Sequence, residues 1–408
     1  MKRFVPNLIR KILFLSVFLC LLVTIIAYAR GYRYDAQNKL VTSTGIVAVS
    51  AFPRAAKVYV NGTLKGVTDL TVTLPPGRYH IDVKKEGYTS WSKDLTVKGE
   101  LVLTFDVLLY PLNPALSPLT NIGVKKAIPM DQTNKIVLFA ETGDELKDGI
   151  YLFEYNKGPF SFLAPLKLLM LKTYLPFDVD MTKAEMVFSP DYKQAILEVG
   201  SVSYLISLEG ENTNQFDITV SKDGLIAAWD EKKRENELKI LQTFDRDFMK
   251  IASDSFRIIS FSPDESKILY NVVEPVTIPP IITPAQISTN QTPELRALSP
   301  FFIYVYDRKE DRNYVLSIPD AAELVKNNLI SNFIGWYPDS KHIAFMEKRE
   351  NKGKVRMVDY DGTNEQTVYA GPFIPTFFKT SSDGGIIVMT NFNSDISDLS
   401  DLYSVGIK

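Results

Sequence analysis

Six acidic residues recur in one sequence frame, and they are the first groups in this chain whose type and spacing could do chemistry. The frame reads "MDQTNKIVLFA" from Met130, "FSPDYKQAILE" from Phe188, "VSKDGLIAAWD" from Val220, "FSPDESKILYN" from Phe261, "WYPDSKHIAFM" from Trp336 and "TSSDGGIIVMT" from Thr380. Each phrase places one carboxylate (Asp131, Asp191, Asp223, Asp264, Asp339, Asp383) in a turn ahead of an apolar strand. Converging on one channel, such carboxylates would hold a cation, or in pairs supply the acid and base of a glycosidase or lyase. Repetition favours another reading, because a returning phrase usually punctuates a repeated structural unit. In Phe261-Ser262-Pro263-Asp264 the proline presets φ and the aspartate accepts local backbone N–H groups, which is the chemistry of a turn.

The remaining chemical candidates are sparse. Asp395, Asp398 and Asp401 stand three apart in "DISDLSD" but lack the glycine and distal glutamate of a calcium loop. The two histidines, His80 and His342, and the single Cys20 leave no internal disulfide, no cysteine-based metal site and too few imidazoles for a His-ligated centre. No G-x-S-x-G, phosphate-loop, G-x-G-x-x-G or H-E-x-x-H pattern occurs. Catalytic residues, cofactors and metals are therefore not assigned. Tyr88 and Trp91 are the candidate ligand contacts, as a stacking platform for a sugar ring; the competing reading packs both into a core.

Lys+Arg 46 against Asp+Glu 48 gives a net charge of −2, which offers nucleic acid no basic field. Aromatic residues are plentiful, with 20 Tyr and 24 Phe, as suits a β-rich chain.

Of the elements that must carry these residues, the N-terminal one comes first. Residues 12–29 carry no charge. As a helix they rise about 27 Å, close to the hydrocarbon thickness of a bilayer. An uncleaved signal anchor and a signal peptide cleaved after Ala27-Tyr28-Ala29 both fit. Lys2, Arg3, Arg10 and Lys11 precede the span, and Arg30, Arg33 and Lys39, offset by Asp35, follow it. This bias keeps the N-terminus cytoplasmic and exports the rest. Residues 31–43 read as a polar stalk.

Residues 44–112 carry dense turn signals. Asn61-Gly62 is a two-residue hairpin turn, and Pro75-Pro76-Gly77 precedes the alternating strand "RYHIDV". The unit reads as a small β-sandwich. From Phe52 to Val97, the order of Pro53, Ala56, Asn61, Gly62, Gly66, Thr68, Pro75, Gly77, Gly87 and Tyr88 resembles the PEGA domain, with Arg54-Ala55 the one departure. The resemblance implies a surface-associated, non-catalytic β module.

The acidic phrases start at intervals of 58, 32, 41, 75 and 44 residues, and most are followed by a second strand such as "FFIYVYD" or "KVRMVDYDG". Short strands repeating near 40 residues are the mark of a β-propeller, whose blades bury their faces only by stacking. Six phrases predict six blades over 116–408. "FSPD" followed by "IYVYD", with "VDYDGTNEQTVYAG" at 358–371, resembles the TolB-like propeller repeat. Residues 271–300 hold six prolines and almost no charge, and are expected to leave the fourth blade as an exposed, partly extended loop. That loop is either a structureless excursion or a partner-docking arm.

The fold expected is therefore all-β: residues 1–30 a cytoplasmic tip and transmembrane helix, 31–43 a stalk, 44–112 a PEGA-like sandwich, and 116–408 a TolB-like six-bladed propeller with a Pro-rich insertion at 271–300. The function expected is a single-pass membrane-anchored, extracytoplasmic, non-catalytic binding or scaffold protein, with an envelope protein or a cell-wall glycan as partner and no nucleic acid. An accessory or sensor subunit of an envelope complex, and a propeller glycosidase or lyase, are the alternatives.

Overall fold

The computed structural model describes residues 4–29, 31–35, 40–131, 133–155, 166–176, 179–287, 290–327, 329–349, 352–371, 377–391 and 400–407. They form two compact units, 1–112 together with 287–291, and the remainder of 113–408.

The first unit begins with helix α1 (Phe4–Ala29). Its segment Ile9–Ala29 is long and apolar enough to cross a membrane, and none of it is buried among the described residues. The expected stalk is instead a hairpin: β1 (Tyr32–Asp35) pairs antiparallel with β2 (Leu40–Ser43). Then come β3 (Gly45–Phe52), β4 (Lys57–Val60), β5 (Thr63–Val67), β6 (Leu70–Leu74), β7 (Gly77–Lys84), β8 (Trp91–Val97) and β9 (Val102–Leu108). They build two sheets, β6-β3-β9 and β5-β4-β7-β8. The period of two along the strands makes this a sandwich. Val47 and Val49, Val58 and Val60, Ile81 and Val83, and Leu103, Phe105 and Val107 alternate into one core. Asn61 at φ 48° and Gly62 at φ 75° supply the left-handed turn that the hairpin between β4 and β5 requires.

The second unit opens with β10 (Leu116–Pro118). Strands β11 (Val124–Pro129), β12 (Lys135–Ala140), β13 (Gly149–Glu154) and β14 (Leu166–Leu171) form a first sheet. A second holds β15 (Glu185–Phe188), β16 (Gln194–Val199), β17 (Val202–Ser207) and β18 (Phe216–Asp217). Two helices come next, α2 (Lys222–Leu241) and α3 (Arg246–Ser255). The third sheet takes β19 (Phe256–Phe261) and β20 (Lys267–Val272), then, beyond a small hairpin of β21 (Val276–Thr277) and β22 (Ala297–Leu298), β23 (Ile303–Asp307) and β24 (Arg312–Leu316). The fourth contains β25 (Ile334–Trp336), β26 (His342–Arg349), β27 (Lys352–Asp359) and β28 (Gln366–Gly371). The fifth runs β29 (Phe378–Thr380), β30 (Ile386–Thr390) and β31 (Asp401–Val405), and takes β10 as its outer strand.

Middle strands are buried on both faces. Every residue of β20 and of β30 is buried, because each sheet lies between two neighbours. Met130, Val137 and Phe139 of the first sheet pack on Ala195 and Leu197 of the second. Leu269 and Val305 of the third pack on Trp336 and Phe345 of the fourth, and Ile387 and Leu402 of the fifth pack back on Ile136 and Leu138 of the first. The first sheet thus packs on both the second and the fifth, the third on the fourth, and the helices lie against the second and third.

Two expectations are corrected. The phrase from Val220 is not a blade: Asp223 lies in the first turn of α2, whose Trp229 packs on Ile196 and Ile218 of the second sheet. Among the described residues of this second unit there are therefore five four-stranded sheets and a helical pair where six blades were expected. The insertion at 271–300 does sit between the two middle strands of a sheet, but its base is folded. Ile278 and Leu298 are buried in the core of the third sheet. Asp311 accepts the backbone N–H groups of Ile281 and Ile282 and the guanidinium of Arg296.

Candidate functional site

Four of the six repeated carboxylates close a local turn. Asp191 accepts the Ser189 hydroxyl at 2.8 Å and the Lys193 N–H at 3.1 Å. Asp264 accepts the Ser262 hydroxyl at 2.8 Å and the Ser266 N–H at 3.1 Å. Asp339 accepts the N–H groups of Lys341 and His342, and Asp383 accepts the Ser381 hydroxyl and the Gly385 N–H. The residue after each aspartate is left-handed: Tyr192 at φ 55°, Glu265 at 55°, Ser340 at 60° and Gly384 at 87°. Only glycine adopts that conformation freely. Hydrogen bonding by Ser189 and the Lys193 N–H holds the Asp191 carboxyl low. At Asp264 burial pushes upward, but the Lys309 ammonium with Ser262 and Ser266 outweighs it, and the carboxyl falls well below the usual range. These groups serve the turns, as the Ser-Pro-Asp chemistry predicted. Replacing Asp264 by alanine should lower stability by about 1–2 kcal/mol, measured by denaturant titration, since two local donors lose their acceptor.

The turns also join neighbouring sheets. Asp264 N–H donates to the Ser340 hydroxyl at 3.0 Å, the Tyr337 hydroxyl donates to Gly384 O at 2.8 Å, and the Thr380 hydroxyl to Trp336 O at 2.9 Å. Lys379 reaches from β29 to Met130 O at 2.6 Å. Burial brings its amine down to about 8, opposed by the nearby Asp131. Among the described residues no group of three or more His, Cys, Asp and Glu is placed to hold a metal ion. In "DISDLSD", Asp395 and Asp398 lie outside the described residues; Asp401 accepts from the Thr120 hydroxyl and the Ile122 N–H.

His342 lies 4% exposed, with Nδ1 2.6 Å from Asp339 and Nε2 3.3 Å from Asp359. Each ring nitrogen faces a carboxylate, an arrangement that favours the doubly protonated ring. Burial lowers its pKa, but the two carboxylates prevail and raise it to about 9.

The sandwich corrects the aromatic platform. Trp91 is 6% exposed and its ring centroid stands 5.6 Å from that of Phe105 in the core. The first residue of β8 points inward, so its indole cannot lie under a sugar. Tyr88 is half-buried against the same core, with Lys85 over its ring at 5.9 Å. The two aromatics do not form a shared exposed face.

A polar groove of about 450 Å³ lies elsewhere in this unit, lined by Arg78, Tyr79, His80, Asp94, Thr96 and Gln291. The pleat produces it, since Arg78 opposes Thr96 and His80 opposes Asp94 across β7 and β8. His80 Nδ1 is 2.6 Å from Asp94, and hydrogen bonding to Asp94 raises its pKa. The amide of Gln291 pairs with both the N–H (2.7 Å) and the C=O (2.9 Å) of Thr96. Such a groove can take hydroxyl or amide groups. Its signal in the sequence was the polar alternate positions of "RYHIDV" and "WSKDLTV".

Residues 44–113 match the PEGA domain. No curated protein matches the chain. Similar solved structures include TolB from Acinetobacter baumannii, at 13% identity over 79% of this chain and 53% of that one, TM-score 0.17. An uncharacterized protein from Listeria monocytogenes is 12% identical over 72% and 67%, TM-score 0.21. Dipeptidyl peptidase 4 from Porphyromonas gingivalis is 11% identical over 76% and 42%, TM-score 0.20.

Proposed function

We propose that this chain is a single-pass membrane protein whose sandwich and sheet assembly stand outside the cytoplasm as a non-catalytic binding scaffold. The observation that carries the reading is a PEGA domain at 44–113 directly after an apolar helix, Ile9–Ala29, of membrane-spanning length. The helix is the anchor, with the basic Lys2, Arg3, Arg10 and Lys11 on the cytoplasmic side. The five sheets act as blades of a propeller, with α2 and α3 occupying a sixth position. The non-catalytic reading is supported by the use of the candidate carboxylates: Asp191, Asp264, Asp339 and Asp383 are engaged by their own turns, and His342 is held between two acids. Its partner is an envelope protein or a cell-wall glycan, met at the polar groove of the sandwich or at the turn-bearing ends of the sheets.

Topology is tested with the single native thiol removed (Cys20→Ser) and one cysteine placed at Thr63 or at Lys2. A membrane-impermeant maleimide on intact cells should label the Thr63 position and spare the Lys2 position. The reverse pattern would overturn the orientation. Sedimentation of residues 31–408 with purified cell-wall material separates the partners: saturable pelleting marks a glycan, and its absence turns the search to protein cross-linking in whole cells.

A further inference from the structure

The end of the sandwich nearest α1 is built with almost no slack. Only Arg30 separates the end of α1 at Ala29 from Gly31. The Gly31 N–H donates to Tyr28 O at 3.1 Å, and Gly31 O accepts the Thr44 N–H at 2.9 Å and the Thr44 hydroxyl at 2.7 Å. Thr44 is buried, and its own carbonyl accepts the Glu100 N–H at 3.0 Å. The Tyr32 hydroxyl donates to Glu100 Oε1 at 2.9 Å. Two residues of chain reach at most about 7 Å, so Thr44 and Glu100 sit within a headgroup's depth of the helix end.

Strand polarity decides what else lies at that level. Gly45 of β3 opposes Leu74, the last residue of β6, and Ile46 is in register with Val102, the first residue of β9. Gly77 of β7 opposes Val97 at the end of β8. The turn Pro75-Pro76 and the loop Lys98–Leu101 therefore share one end with Thr44. Pro75, Pro76, Arg78 and Lys98 are exposed there, and Val102 is 54% exposed. Arg78 and Lys98 stand against Glu100 at this level, so the described basic side chains outnumber the acidic ones.

We propose that this end of the sandwich, with Pro75, Pro76, Arg78, Lys98 and Val102, is a lipid-contact surface that seats on the anionic phosphodiester headgroups of the membrane α1 spans. The inference rests on α1 being the anchor. Exposed apolar residues enter the interface while the basic side chains meet the phosphates. The sandwich then stands at a fixed height and direction on the bilayer instead of swinging on a stalk.

The test uses the full chain with Cys20→Ser in vesicles of phosphatidylcholine, with or without phosphatidylglycerol. An environment-sensitive fluorophore is placed through Val102→Cys or, at the opposite end of the sandwich beyond β7, through Glu86→Cys. β7 spans 8 residues, or about 25 Å at a strand's rise. A headgroup-linked quencher should reduce the fluorescence at position 102 several-fold more than at position 86, and more with phosphatidylglycerol present. Arg78→Glu with Lys98→Glu should bring the phosphatidylglycerol result down to that of phosphatidylcholine alone. Equal quenching at both positions, in a chain that still resists carbonate extraction, overturns the contact surface while leaving the anchor intact. Quenching that ignores both the lipid charge and the double substitution overturns the phosphate partner. Release of the chain by carbonate overturns the anchor reading itself.

Discussion

Replacing His342 by leucine should destabilise the sheet assembly by roughly 3–5 kcal/mol, read as a lower midpoint in denaturant, because it leaves Asp339 and Asp359 beside a buried site without their shared cation. The imidazolium donates to both, and Tyr337 closes the site edge-on with ring centroids 6.2 Å apart. The same geometry sets a pH dependence. The folded pKa of about 9 lies above the ordinary 6.5. The stabilisation is therefore fully present below 6.5 and is lost as pH rises through about 9. Its full size is on the order of 3 kcal/mol for a shift of this extent. Lys379 works in the opposite sense. Its amine is brought down from 10.5 to about 8, so across that window the unfolded chain binds more protons and stability rises with pH. The quantity to measure is thus the difference between wild type and His342→Leu at each pH, which cancels Lys379. That difference should shrink steadily from pH 6.5 to above 9. A constant difference would mean that the ring is neutral in the folded chain and that the loss reflects packing alone.

The sequence displayed the turns far better than it displayed what fills the space between them. Asn61-Gly62 and Pro75-Pro76-Gly77 are turns where local chemistry alone determines the backbone, and both lie between strands as expected. The Ser-Pro-Asp phrases were legible for the same reason, since donor, acceptor and left-handed residue all fall within six positions. The phrase from Val220 misled because its Asp223-Gly224 matches the acidic turn letter for letter. Beyond it, residues 230–239 are a run of helix formers without a β-branched side chain, and Glu231–Arg234 and Lys232–Glu235 pair at helical spacing. Those residues outvote the turn. Of the two readings of Trp91, strand phase decides for the core: Trp91, Leu95 and Val97 share the inward face of β8. Two features were not legible. The pairing of β10 with β31 joins residues nearly three hundred positions apart, and the second acid on His342 comes from the far end of β27. Both depend on tertiary register, which leaves no local pattern.

Replacing Phe248 by alanine should cost about 3–5 kcal/mol, the range for deleting a large aromatic from a packed core. Phe248 of α3 is fully buried; its ring stacks on Tyr306 of β23 at 3.9 Å between centroids and lies 5.6 Å from Phe244. Tyr270, Tyr304 and Ile268 of the third sheet complete the cluster. At the other side, Trp229 of α2 packs on the second sheet. The helices therefore supply to both neighbours the apolar face that a β blade would supply, and a sheet that lost its neighbour would expose a continuous apolar surface to water. In a unit of this size the melting temperature should fall by roughly ten degrees. Lys232→Ala on the exposed face of α2 loses only an i,i+3 ion pair with Glu235, and should change stability by no more than about half a kcal/mol. Equal small effects from both substitutions would show that the helical pair is an appendage and that the second and third sheets are held together by something else. A large loss from Phe248→Ala alone would make the pair a structural member of the assembly, required wherever the five sheets are.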